Sequence, residues 1–112
     1  MTLARASLTA LTLAATACTP NFKYMPTSAV VSQSKAADCA FDIRSTPPDY
    51  PYDELGVLEG GPPVGARSLE SFREAVAEKV CAAGGTAVLP EVNGHGVYIR
   101  AAVIRARAPQ AK

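Results

Sequence analysis

The residues able to do chemistry in this chain are few: the cysteines Cys18, Cys39 and Cys81, a single histidine, His95, and the carboxylates Asp49, Asp53 and Glu54. His95 lies in "VNGHGV". To act as a general base it would need a serine or cysteine to activate and a rigid setting to act from. Neither is near it in sequence, and the flanking glycines mark the tip of a turn, so a solvent-exposed turn residue is expected. A small hydrolase or metal-binding domain using His95 is the alternative. Paired carboxylates are the machinery of glycoside hydrolysis, but Asp49, Asp53 and Glu54 fall in and beside the proline-rich "TPPDYPY", where solvated surface charge is the simpler expectation. "GGPPVG" is rich in glycine yet lacks the lysine and the strand-to-helix setting of a phosphate loop. Arg100, Arg105 and Arg107 form a small basic edge beside Tyr98, able to touch an anionic lipid or glycan, or simply to protect a strand edge. No catalytic residue, metal site or cofactor is expected from this set.

Composition narrows the partners further. In 112 residues, 48% hydrophobic and 19% charged, the formal charge is only +1. Removing Arg5 with the leader described below leaves ten basic residues against ten acidic, so nothing points to nucleic acid. Nine prolines and eight glycines require long irregular segments around a single small domain.

Met1 to Arg5 carries one positive charge, and Ala6 to Ala17 is an uncharged run of Ala, Leu, Thr and Ser. These read as the n-region and h-region of a secretory signal, residues 1–17. The twelve-residue run contains four hydroxyl residues; a bilayer span takes about 20 apolar residues, so this is a leader and not an anchor. At its end, "ATAC" sets Thr16 and Ala17 directly before Cys18 and resembles the lipobox of bacterial lipoproteins, with Ala15 where leucine is usual. The resemblance implies cleavage before Cys18, a diacylglycerol on its thiol and an acyl chain on its new amino group. Multiple chains give the firm membrane attachment that one chain does not. Thr19, where an aspartate would signal retention in the inner membrane, implies the outer membrane, facing the periplasm. The alternative is ordinary cleavage after Ala17, with Cys18 left as a free thiol.

Export puts Cys39 and Cys81 in an oxidising compartment, where two thiols in a small domain most often pair. With Cys18 lipidated, no cysteine is left over. The link closes a loop of about 42 residues, worth roughly 3 to 4 kcal/mol in the chain-entropy account. Its rivals are two buried reduced cysteines or a two-thiolate metal site, for which zinc would want two further ligands while His95 is the only imidazole.

The elements that must position these residues follow from periodicity. Residues 19–38, "TPNFKYMPTSAVVSQSKAAD", show no helical period and read as a flexible tether, in which Ala29 to Val31 are apolar enough to add an edge strand. The domain is expected over residues 39–107. "DCAFDIRS" alternates Cys39, Phe41 and Ile43 with polar or small neighbours, a strand. "DELGVLEG", residues 53–60, is a second strand with Leu55 and Val57 on one face. Leu69, Phe72, Val76, Val80 and Ala83 recur at helical spacing behind a Ser68 N-cap. Glu70 and Glu74 suit the positive end of that helix, and Gly84 and Gly85 end it. Cys81 sits on the flank of the stripe, where it can meet the chain entering the first strand.

Thr86 to Val92 and Val97 to Ala106 are strands around the "NGHG" turn, with Asn-Gly expected at its centre. On the last strand Val97, Ile99, Ala101 and Val103 are expected to pack on the helix. Tyr98, Arg100, Ala102 and Ile104 face away, half apolar, to be covered by the tether or offered to a partner. Residues 108–112 are a polar tail. The resulting class is α+β: a small antiparallel sheet of about four strands, in chain order β-β-α-β-β, with one amphipathic helix on one face.

From Val76 to Ile104, a helix closing on Gly84 and Gly85, followed by Thr86, Ala87 and Val88 and a glycine-containing hairpin, resembles the core of small bacterial lipoproteins of the Rcs stress-sensor type. Short uncharacterised lipoproteins and small heavy-metal-binding domains share that look. The resemblance implies a small lipid-anchored α+β domain with a disulfide brace. In the sensor family, which carries two disulfides, the domain monitors the envelope through outer-membrane protein partners. The resemblance carries no function of its own; the anchor, the tether and the half-apolar outer face point to a non-enzymatic role, binding or sensing another envelope component, with Tyr98, Arg100 and Ile104 as the partner face. A purely structural lipoprotein is the blander alternative, and no oligomeric state follows.

Overall fold

In the computed structural model, described over residues 20–30, 32–60 and 65–107, five strands and one helix follow in the order β1 (Phe22–Pro26), β2 (Asp42–Ile43), β3 (Tyr52–Gly60), α1 (Leu69–Ala83), β4 (Ala87–Val92) and β5 (Tyr98–Ala106). The class is α+β, as expected, but the single sheet has five strands in the order β1-β3-β5-β4-β2 and is mixed. Strands β1, β3, β5 and β4 pair antiparallel, and the two-residue β2 joins β4 in parallel.

The helix forms where its period places it. Ser68 is the N-cap, its side chain accepting a hydrogen bond from the Ser71 N–H at 3.1 Å. Phe72, Val76, Val80 and Cys81 are buried, whereas Leu69, the first residue of the stripe, is 48% exposed. Gly84 ends the helix in the left-handed region at φ 76°, its N–H turned back to the carbonyls of Val80 and Cys81.

The segment expected to be a tether contributes the first strand. Phe22 is fully buried, and β1 pairs with β3 from Phe22 opposite Gly60 to Pro26 opposite Gly56. A Cβ on Gly56 would come within 2.5 Å of the Tyr24 hydroxyl and 2.6 Å of the Met25 carbonyl oxygen, so the glycine is what allows β1 to approach. The edge strand lies earlier than Ala29 to Val31: Val30 falls outside every strand and is 38% exposed. Pro26 closes β1 on an outer edge, where its missing N–H is tolerated.

Two bulges reset the faces of the strands. The β3–β5 register shifts between Glu54 and Gly56, so Leu55 and Leu58 join the core under the helix, and Val57, opposite Ala102, belongs to the other face. The β4–β5 register shifts between Glu91 and Val92, which pairs with Tyr98. Tyr98 therefore turns toward the helix and stacks on Phe72 at 4.9 Å between ring centroids, while Ile99 is 37% exposed. Both are the reverse of strict alternation.

The face away from the helix is not bare. Ile104 and Ala87, opposite one another across β5 and β4, are 1% and 0% exposed. From β3 the chain crosses to the parallel β4 through α1 on one face. From β2 it returns across the sheet to β3, also parallel, in the opposite direction. Crossovers of this kind are right-handed, so the return through residues 44–51 passes over the face opposite α1. Pro48 in that return is buried.

Candidate functional site

The disulfide and the segment before it form a strap over the C-terminal end of α1. Cys39 and Cys81 are joined, with Cα atoms 5.8 Å apart and a sequence separation of 42. The Lys35 N–H donates to the Cys81 carbonyl at 2.8 Å, the Ser32 hydroxyl to the Gly84 carbonyl at 3.2 Å, and Lys35 Nζ to the Gly85 carbonyl at 3.4 Å. The bonds to Cys81 and Gly84 fall on carbonyls at the helix end, and the bond to Gly85 falls on the residue just past its cap. Past the disulfide, Arg73 donates to the Phe41 carbonyl at 3.0 Å and lies over the Phe41 ring. Cys81 is fully buried, as its flank position allows. This pair is a brace, holding residues 32–43 against the helix and delivering β2 to the sheet edge.

The structure separates the three residues expected to form a partner face. Tyr98 packs inward on Phe72, Ile104 is buried, and only Arg100 is exposed, 3.8 Å from the Glu59 carboxylate. The bulge at Ile99 and the cover over Ile104 are the reasons. Cys18 lies outside the described residues, as do residues 1–17 and 108–112.

His95 occupies the exposed tip of the β4–β5 hairpin, where its backbone N–H donates to Asn93 Oδ1 at 2.8 Å. The turn is a three-residue loop: the Asn93 N–H donates to the Val97 carbonyl at 2.9 Å, and only Gly96, at φ 76°, is left-handed. Among the described residues no group of three His, Cys, Asp or Glu side chains is placed to hold a metal. Asp53 and Glu54 are consecutive in β3 and so point to opposite faces. Asp53 accepts from Arg107 Nε at 2.9 Å, with Arg107 Nη2 at 2.8 Å and Arg105 Nη2 at 3.9 Å. The Arg107 hydrogen bond, helped by the charges of both arginines, holds its carboxyl below the usual range. That carboxylate is consumed in an ion-pair cluster tying the end of β5 to β3, and the arginines of the expected basic edge are spent there and on Glu59.

What the sequence reading did not find is an open apolar groove of about 430 Å³ between the start of α1 and the free edge of β4, lined by Ile43, Ser45, Leu69, Pro90, Val92 and Tyr98. It exists because β2 is only two residues long. β2 covers β4 at Ala87 and Val88, with the Arg44 N–H donating to the Val88 carbonyl. Beyond Val88 the outer edge of β4 has no strand partner among the described residues. By alternation Pro90 is the next position turned to that edge, and it offers no N–H there, which blunts the edge against strand addition. The groove's only side-chain polar groups are the hydroxyls of Ser45 and Tyr98, so it is suited to apolar contact and not to bond-breaking. No protein-family model, curated protein or solved structure matches this chain. The one sequence signal for the groove was Pro47-Pro48, which stops β2 from running further along β4.

Proposed function

We propose that this is a lipid-anchored protein of the bacterial envelope, held through Cys18 on the outer membrane facing the periplasm, that works by binding another envelope component and not by catalysis. The observation that carries the reading is the Cys39–Cys81 disulfide. It suits an exported chain and uses two of the three cysteines, leaving the one that directly follows a small-residue cleavage signal. Among the described residues no helix is long and apolar enough to cross a membrane. The groove beside Tyr98 adds a contact surface without a nucleophile-base pair.

Growth with a clickable palmitate analogue tests the anchor: the label is expected on the wild-type chain and absent from Cys18→Ser, and equal labelling of both would overturn it. A photocrosslinking residue at Ser45, in the groove, or at Arg100 tests the binding role in cells. A discrete adduct with another envelope component is expected from one of them; the same diffuse background as from Val30 would sink it.

A further inference from the structure

Both ends of the sheet can be told apart, and they differ in what they expose. The N-terminal end of β1 lies beside Gly60, together with the start of α1, the end of β4 and the start of β5. Three of the four large apolar residues exposed among the described residues belong to this end: Leu69 at 48%, Val92 at 45% and Ile99 at 37%. The fourth, Val30, follows the other end of β1, near the C-terminal end of α1 that Ser32 contacts. Leu69 and Val92 flank the mouth of the same groove.

Chain length then decides what this end meets. Only Thr19, Pro20 and Asn21 separate Cys18 from Phe22, whose ring is locked in the core. Four Cα-to-Cα steps span at most about 14 Å, so a lipid on Cys18 cannot leave this end of the sheet far from the headgroups. The twenty-residue tether expected from sequence would have allowed any orientation; a three-residue link does not. Charge at this end is balanced, with Lys23, Arg67 and Arg100 against Glu59, Glu70 and Glu91, so the attraction available is apolar. Resting on the lipid-anchor reading, we propose that the end of the domain bearing Leu69, Val92 and Ile99 docks on the surface of the bilayer that carries the Cys18 lipid, fixing the domain upright with the disulfide-strapped end pointing away.

The chain has no tryptophan, so one introduced indole reports alone. Full-length lipidated chains with Leu69→Trp, Ile99→Trp or Val30→Trp are reconstituted on phosphatidylethanolamine and phosphatidylglycerol vesicles with brominated acyl chains, and flotation records attachment separately. Contact at the interfacial depth should quench the indoles at 69 and 99 at least about twofold more than at 30, and leave that difference unchanged by added salt or by omission of phosphatidylglycerol. Chains that float with all three indoles quenched alike overturn the docking while keeping the anchor. Chains that do not float overturn the anchor and the docking with it. A blue shift at 69 or 99 that grows with protein concentration in detergent and is indifferent to brominated lipid assigns the surface to a second copy and also overturns it.

Discussion

The ring of Phe22 meets the ring of Phe72 edge-on, centroids 5.4 Å apart and planes at 82°, and Tyr98 stacks on the same Phe72 ring at 4.9 Å. Through this contact the first strand, the helix and the last strand share one packing unit, and a segment that reads as a linker becomes part of the core. Phe22 and Phe72 are both fully buried. Edge-to-face pairs contribute about 0.5–1.5 kcal/mol beyond the area they bury.

Phe22→Ala is therefore expected to lower stability by about 3–5 kcal/mol, near the whole stability of so small a domain, whereas Lys23→Ala, on the exposed face of the same strand, should stay within about 0.5 kcal/mol. Urea unfolding with the disulfide intact measures both. A change below about 1 kcal/mol for Phe22→Ala would show β1 to be an ornament on the sheet and would return residues 19–38 to the role of tether.

The Cys39–Cys81 link closes 42 residues and holds the strap that caps α1. Replacing both cysteines by alanine should lower stability by roughly 3 to 4 kcal/mol. Intact mass should rise by two hydrogens on reduction of the wild-type chain, and the same gain should appear for Cys18→Ser. No gain in either would exclude the bond in the isolated protein.

The parts legible in the sequence are those specified by local chemistry. Ser68 and Gly84 bound the helix, the spacing of Phe72, Val76 and Val80 sets its buried face, and Cys81 on the flank of that face finds Cys39. What was not legible comes from tertiary pairing. "FKYMP" carries too short an alternation to stand as a strand alone and is made one by β3. The bulges at Leu55 and Ile99 each insert one residue into a period of two, which moves Val57 and Tyr98 to faces that counting along the chain assigns to their neighbours. The groove depends on the distance between a short β2 and the helix start; Pro47-Pro48 limits the length of β2, but no local pattern encodes that distance.

Asp53 makes stability depend on acid. Its carboxyl is held low by the hydrogen bond from Arg107 and the charges of Arg107 and Arg105, so the folded state prefers it ionised. A depressed folded value means the contribution is present above the unfolded value of about 3.9 and is lost as pH falls from there through the folded one. Asp53→Asn should thus be less stable than wild type at neutral pH, with the gap closing below about pH 4. Urea midpoints at several pH values check this; a gap that persists unchanged in acid would mean that the cluster acts by shape and not by charge.

The hairpin that carries His95 separates two turn geometries by a pair of glycines. In a two-residue Asn-Gly turn, Asn93 and Gly94 would both be left-handed and Gly94 would resist substitution. Here the loop spans three residues: Asn93 Oδ1 accepts from the N–H groups of His95 at 2.8 Å and Val97 at 3.1 Å, and Gly96 alone takes positive φ. An added Cβ meets nothing at either glycine, so backbone preference is the only difference between them. Gly96→Ala should lower stability by about 1–2 kcal/mol, while Gly94→Ala should be neutral or gain about 0.4–1 kcal/mol by restricting the unfolded chain. Thermal or urea unfolding of the two variants reads the contrast directly, and the opposite order would assign the two-residue turn to the protein in solution.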